Sequence, residues 1–406
     1  MKYIIILVDG AGDYTIESIG NKTPLEVANI PNITNLAQNG EIGLVQTIPV
    51  GMQPGSDIAN LSVMGYAPEK YHTGRSPLEA ASMGVPLSDT DITFRCNLVT
   101  LSEDKPYQEK TILDHSSGDI TTEESTQLIE TLSKQLQTEF IKYYPGVSYR
   151  HLILWKNGLK SSTYDFDLTP PHDILGQSIS NYLPKGPHQE LLTNMMEKSY
   201  DILKNHPVNV LRTKKGLNPA SSIWIWGEGK KPRLDSFKEK FGLAGSVISA
   251  VDLIHGIGIL AGLKPIKVDG ATGTIHTNFS GKASAAVKAL LDGDDFVYLH
   301  LEAPDECGHQ GNLQEKIESI EIIDHKIVGP IKTALEEAKE EFKVLILPDH
   351  LTPIKLRTHT SDPVPYVIYD SRTNSKKSDN RFTEKSAKES GNFFLTGPEL
   401  TSYFFK

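Results

Sequence analysis

The chain has 406 residues, more than one average domain and enough for a large core carrying an insertion. Its 51 acidic and 41 basic side chains leave a formal charge of −10, which excludes a general nucleic-acid binder, since phosphate contacts would need a basic surface. The only two cysteines, Cys96 and Cys307, exclude a disulfide framework and suit a reducing compartment.

In chain order, MKYIIILVDG has no apolar region long enough for a secretory leader and reads as a first strand, Tyr3 to Val8, that stops at Asp9. No apolar run reaches membrane-spanning length, so the cytoplasm is the expected location and no membrane partner is expected. Thr23-Pro24-Leu25-Glu26 has a cap residue followed by proline and predicts a helix start. Asn32 to Gly40 predicts an amphipathic helix closed by Asn39-Gly40. The Gly/Pro-bounded turn Gly51 to Asp57 leads into a helical pattern from Ile58 to Met64. That places Ser56 at or near a helix N-terminus, where backbone N–H groups and the helix dipole favour an alkoxide or a phosphoryl group. Ser56 or Asp57 could serve there simply as a cap; a hydroxyl held against a dication is also a candidate nucleophile.

Residues 85–216 read differently from their flanks. They carry β-like pieces (Ile92 to Leu101, Tyr149 to Trp155), a long polar helix from Thr122 to Tyr143 opened by Thr121-x-x-Glu124, and a proline-rich stretch. The expectation is an inserted smaller α+β domain covering the substrate, with 1–84 and 217–406 forming a discontinuous core. Ser222 to Gly227 alternates at period two and predicts a core strand. Ala244 to Leu263 predicts a helix breaking at Gly256 and Gly258; its glycine spacing does not fit a dinucleotide fingerprint. Gly281-Lys282-Ala283-Ser284 lacks the upstream glycine of a nucleotide-binding loop. A strand from Phe296 to Leu301 is followed by Glu302, Asp305 and His309. Asn312 to Ala338 predicts a charged helical region interrupted at Gly329-Pro330. A last buried strand, Val344 to Leu347, ends at Pro348-Asp349-His350, and Ser371 to Ser390 is expected to be a polar, mobile loop.

Three apolar strands thus each deliver carboxylate or imidazole groups just past their ends, where open α/β sheets bind ligands. With His359, the inventory is Asp9, Asp305, His309, Asp349, His350 and His359. Mixed oxygen and nitrogen donors in that number fit two divalent cations, which in two-metal sites lie roughly 3.5–4 Å apart. Such donors suit Mn²⁺ or Zn²⁺, with Co²⁺ possible.

These residues carry a resemblance. Asp9, Ser56 in a Gly-Ser-Asp turn, Asp305-x-x-x-His309, Asp349-His350, and His359 before Pro363-Val364-Pro365-Tyr366 resemble the metal centre of the alkaline phosphatase superfamily. The closer similarity is to its cofactor-independent phosphoglycerate mutases of the archaeal type. It extends through His72-Thr73-Gly74-Arg75-Ser76-Pro77-Leu78-Glu79-Ala80, Phe94-Arg95-Cys96-Asn97-Leu98, Pro171-His172-Asp173 and Gly270-Ala271-Thr272-Gly273. The resemblance implies an alkaline-phosphatase-like α/β core with a mostly parallel sheet flanked by helices. It also implies one metal on Asp9, Ser56, Asp349 and His350, a second on Asp305, His309 and His359, and transient phosphorylation of Ser56. Arg75, Arg95 and His172 fall where the family contacts substrate; arginine forks fit phosphate and carboxylate. In one place the chain departs from the family: Trp226 stands where an arginine typically precedes the glycine pair.

The implied activity is interconversion of 3-phosphoglycerate and 2-phosphoglycerate without bisphosphoglycerate. The same centre could serve another acceptor, either water or a small alcohol such as homoserine, and a non-catalytic metal-binding protein is a more distant alternative. The expected partner is a small phosphorylated substrate. The acidic surface favours solubility and leaves the oligomeric state open.

Overall fold

The computed structural model describes residues 1–103, 105–161, 164–373 and 378–406. The chain forms two compact units, Met1–His72 with Arg233–Lys406, and Thr73–Pro232. In the first lie β1 (Lys2–Val8) and β2 (Glu41–Val45). The second holds β3 (Ile92–Leu101), β4 (Ile112–Asp114), β5 (Ile141–Tyr144), β6 (Arg150–Trp155) and β7 (Ser222–Lys230). The chain then returns to the first with β8 (Gly245–Ile248), β9 (Lys264–Ile266), β10 (Phe296–Leu301), β11 (Phe342–Leu347), β12 (Val364–Asp370) and β13 (Phe393–Phe394).

The first unit is built on an eight-stranded sheet in the order β13-β2-β12-β11-β1-β10-β8-β9. The run from β11 to β9 is parallel, and β12 is antiparallel to both its neighbours. The expected mostly parallel α/β core is therefore present. Ile4, Ile6 and Val8 of β1 pack in one buried cluster with Val297, Leu299 and Leu301 of β10 and Val344 and Ile346 of β11. Each such side chain contributes about 1.5–3 kcal/mol on burial. Register matters most for the site: Val8 lies opposite Leu301, and Leu7 opposite Leu347. The three strands end level, so Asp9, Glu302 and the Pro348-Asp349-His350 segment leave the same edge together.

The second unit is an antiparallel sheet, β4-β3-β6-β5, with β7 paired to β3. All ten residues of β3 are buried, as a central strand requires. The composition-based limits 85–216 differ from this unit at both ends. Ser76 Oγ bonds to Thr93 on β3, and β7 pairs with β3 along most of its length, so both the segment from Thr73 and the predicted core strand Ser222 to Gly227 belong to the second unit.

Four local expectations are corrected. The helix opened by Thr121 ends at Leu136, not Tyr143. Thr138 Oγ1 accepts from the N–H groups of Phe140 and Ile141, making a turn, and Ile141-Lys142-Tyr143-Tyr144 alternates into β5. Ala244 to Leu263 is a strand followed by a helix, Asp252–Leu260, that runs through both Gly256 and Gly258 without breaking. A Cβ at Gly258 would stand 2.4 Å from Val247 Cγ1, so the glycine serves close helix–strand packing. The interruption expected at Gly329-Pro330 is a π-helical turn just before it, Asp324–Val328. Buried Asp324, the first residue of that turn, accepts from the backbone N–H groups of Asn32 and Ile33. Finally, the stretch expected as a loop to Ser390 contains a helix, Glu384–Glu389, whose half-buried first residue accepts from Thr23 Oγ1 and Asp13 N–H. Residues 374–377 of that stretch lie outside the described residues.

Candidate metal centre

Asp9 leaves β1 directly, and its Oδ2 lies 2.9 Å from Nε2 of His300, near the end of β10. Complete burial holds the His300 imidazole down to about 3, so it is neutral, and its Nδ1 meets Ser249 Oγ at 3.2 Å. Beyond β10, Asp305 and His309 stand one turn apart on the helix Ala303–Gln310, which Pro304 opens and Gly311 closes in the left-handed conformation. That spacing puts both on one face, with His309 Nε2 3.2 Å from Asp305 Oδ2. His359 reaches the same place from the loop after β11: its Nε2 is 2.9 Å from His309 Nε2 and 3.4 Å from Asp305 Oδ1. His350 stacks on His359 with ring centroids 3.9 Å apart. Its Nε2 faces Asp9 Oδ1 at 3.6 Å and Asp349 Oδ2 at 3.4 Å.

Ser56 is the first residue of the helix Ser56–Val63, and its Oγ lies 3.2 Å from His350 Nε2. One turn on, Asn60 donates from Nδ2 to Ser56 O and to Asp349 Oδ2, while Tyr298 OH donates to Asn60 Oδ1 at 2.6 Å. Asp349 Oδ1 accepts from the backbone N–H groups of Gly10 and His350. Thr352 Oγ1 donates to Asp305 Oδ1 and sits 3.3 Å from His350 Nδ1. His309 Nδ1–H donates to Arg357 O at 3.0 Å, which turns Nε2 toward Asp305 and His359.

Charge in this cluster is unbalanced. Burial first, then the charges of Asp349 and Asp305, holds the Asp9 carboxyl well above its ordinary range. Burial also raises Asp305, but its hydrogen bonds with His309 and His359 outweigh that and hold it well below. The same bond to Asp305 pushes His309 up to about 9. Asp9 Oδ1, fully buried, has no hydrogen-bond partner among the described residues. Two donor sets converge, Asp305 with His309 and His359, and Asp9 with Asp305 and His350, each with ligand atoms within 4.8 Å of one another. The orphaned oxygen and these mixed donors fit two divalent cations.

All seven residues expected at the metal centre, Asp9, Ser56, Asp305, His309, Asp349, His350 and His359, meet here. The grouping differs in one respect from the implied ligand sets: Asp305 lies in both donor sets, while Asp349, already accepting from Gly10, Asn60 and His350, borders the second. Sequence reasoning missed His300, Asn60, Tyr298 and Thr352. A polar residue inside the apolar run of β10 was the available signal for His300; Asn60, four residues after Ser56 on the same helix face, was another.

Within the second unit, Arg75, Arg95 and His172 form a chain of contacts. Glu79 accepts from Arg75 Nε at 3.3 Å and Arg95 Nε at 3.0 Å. The Arg95 guanidinium, buried, lies 4.2 Å over the Trp226 ring, and the His172 ring meets Trp226 edge-on at 5.3 Å. Trp226 Nε1 donates to Asn97 Oδ1, which fixes the indole.

The level strand ends and their donor chemistry put the chain in the class of α/β enzymes that depend on divalent metals for phosphoryl transfer. The family model of 2,3-bisphosphoglycerate-independent phosphoglycerate mutase matches residues 37–209. A relative from Geobacter sulfurreducens, named a probable enzyme of that kind, is 49% identical over 96% of both chains, and one from Methanosarcina acetivorans, given the same activity, is 46% identical over the whole of both. Among solved structures, a protein from Pyrococcus horikoshii superposes with a TM-score of 0.82 at 29% identity, covering 99% of this chain and 96% of the other. The cofactor-independent phosphoglycerate mutase of Thermoplasma acidophilum shares the fold, with a TM-score of 0.66 at 24% identity over 100% and 99% of the two chains. The chain belongs to the 2,3-bisphosphoglycerate-independent phosphoglycerate mutase family.

Proposed function

We propose that this enzyme interconverts 3-phosphoglycerate and 2-phosphoglycerate through a phosphoserine at Ser56. The observation that carries the reading is the Ser56 hydroxyl, held at a helix start 3.2 Å from His350 at the rim of the donor cluster. Asp9, Ser56, Asp349 and His350 on one side and Asp305, His309 and His359 on the other would hold two divalent ions, Mn²⁺ or Zn²⁺ by donor type, with Co²⁺ possible. When bound, such ions would supply Lewis-acid charge that neutralises the phosphoryl oxygens and the leaving oxygen. Ser56 Oγ gives up its proton and attacks phosphorus in line; the bond from phosphorus to the glycerate oxygen breaks, and that oxygen takes a proton. The helix N-terminus favours the negative charge passing through this point. Glycerate is then turned over, its other hydroxyl attacks the phosphoserine, and Ser56 is released. Asn60 keeps Ser56 and Asp349 in a fixed relation throughout. Arg75, Arg95 and His172 recognise the anionic groups of the substrate, Arg95 being steadied by Trp226.

The test is phosphorus NMR of the metal-reconstituted enzyme with 3-phosphoglycerate, with neither nucleotide nor bisphosphoglycerate added. Growth of the 2-phosphoglycerate signal is expected, and Ser56→Ala should abolish it while metal binding survives in part. Near-normal turnover in that variant would remove Ser56 from the mechanism. Inorganic phosphate alone would make the protein a phosphatase, and a silent spectrum with metals bound would move the assignment to another acceptor such as homoserine.

A further inference from the structure

Outside the donor cluster, one heavily tied buried charge in the first unit is Lys316. It lies on the helix Leu313–Ile323, its side chain wholly buried, and its ammonium donates to Asp13 Oδ2 at 2.9 Å, Thr352 O at 2.8 Å and Gly12 O at 3.1 Å. A buried ammonium with three oxygen partners has its donors satisfied, which is the condition for tolerating the charge. Asp13 is tied in turn: its Oδ2 also accepts from Ile354 N–H, and its own N–H donates to Glu384 Oε1. Glu384 Oε2 accepts from Thr23 Oγ1 at 2.7 Å.

Lys316 and Asp13 together hold two segments. Gly12 and Asp13 follow Asp9 out of β1, while Thr352, bonded to Lys316, and Ile354, bonded to Asp13, follow His350 out of β11. Thr352 holds Lys316 by its carbonyl, while its hydroxyl donates to Asp305 and faces His350. Asp305 is the carboxylate common to both donor sets. We infer that Lys316 is a positioning residue for the metal centre: it pins the loops after β1 and β11 to each other and, through Thr352, aims Asp305 and His350. The inference rests on the reading of Asp305 and His350 as metal ligands. Outer partners of metal ligands typically change affinity by about 10–100-fold when removed.

The experiment is manganese titration followed by electron paramagnetic resonance, using the full chain under conditions where circular dichroism shows it folded. Wild type should bind two Mn²⁺ per chain. Lys316→Met and Thr352→Val should each weaken the tighter-held ion by about 10–100-fold, and Thr352→Ser should restore it. Because Lys316 acts through Thr352, the double variant Lys316→Met with Thr352→Val should bind no more weakly than the worse single variant. Should Lys316→Met not fold, Thr352→Val against Thr352→Ser still decides whether the hydroxyl aims the ligands. Wild-type affinity in either weakened variant, or additive losses in the double variant, overturns the inference. Failure of wild type itself to bind Mn²⁺ overturns the metal-site reading and this inference together.

Discussion

Gly10 is a residue at which the packing of the metal centre allows little change. It follows Asp9 with φ +62, and its N–H donates to Asp349 Oδ1. An added Cβ would lie 2.6 Å from Asp305 Oδ1 and 2.7 Å from Asp305 Cα and Cβ. In Gly10→Ala, the left-handed backbone costs an L side chain about 1–2 kcal/mol. The overlap adds about 1–3 kcal/mol, because two of the three atoms it meets belong to the core of Asp305 and cannot rotate away. Together the substitution should cost about 2–5 kcal/mol and displace the carboxylate shared by both donor sets. Gly20→Ala is the control: φ there is +77, but nothing lies within 4 Å of the added Cβ, so only the backbone term applies. Urea unfolding and manganese titration of both variants separate the terms. Gly10→Ala should fall below Gly20→Ala in unfolding midpoint and lose most of its Mn²⁺ affinity. Equal midpoints, with Mn²⁺ affinity unchanged, would refute the reasoning.

Two further outcomes concern the second unit. Trp226→Leu removes the platform beneath Arg95, a contact of about 0.5–1 kcal/mol, so KM for phosphoglycerate should rise a few-fold while Trp226→Phe stays near wild type; identical KM in all three proteins would dissociate Trp226 from substrate recognition. His151 gives a pH signature: it is buried on β6, its Nδ1 accepts from Gly146 N–H, and burial holds the imidazole down to about 3. Its native pKa lies below the unfolded value, so the unfolded chain binds the extra proton. Stability from this group is therefore whole above about pH 6.5 and declines as pH falls toward 3, by about 2 kcal/mol at pH 5. Replacing His151 with Gln should flatten the dependence of the unfolding midpoint on pH between 7 and 5, and an unchanged slope would show that other groups govern it.

What could be read from the sequence follows from how information is stored locally. β1, β10 and β11 are uninterrupted apolar runs because both faces of a central parallel strand are covered, and their ends announce themselves by the change to Asp, Glu or Pro-Asp-His. Ser56 could be placed because a Gly/Pro turn before a helical period marks a helix start. The levelling of the three strands could not be placed, since register is a relation between segments nearly 300 residues apart. The same holds for Asn60, Tyr298 and Thr352: each looks like an ordinary helix, strand or loop residue until the neighbour it bonds is known. The misread boundaries have equally physical causes. Ile141 to Tyr144 carries a short strand pattern that the preceding helical period masks, and the glycines of Asp252–Leu260 are there for contact with Val247, not to end a helix.

The sheet order has a consequence for how the protein is made. β1 lies between β10 and β11, and neither of these exists until the chain has grown past Phe296. At about 5–20 residues per second, Ile4, Ile5, Ile6, Leu7 and Val8 wait roughly 15–60 s with both edges unpaired. The second unit, whose strands are all made by Lys230, has its partners at hand while the first is still waiting. β1 is thus a sticky, unshielded strand until β10 and β11 are made, and it is a segment on which a ribosome-associated chaperone would have to act.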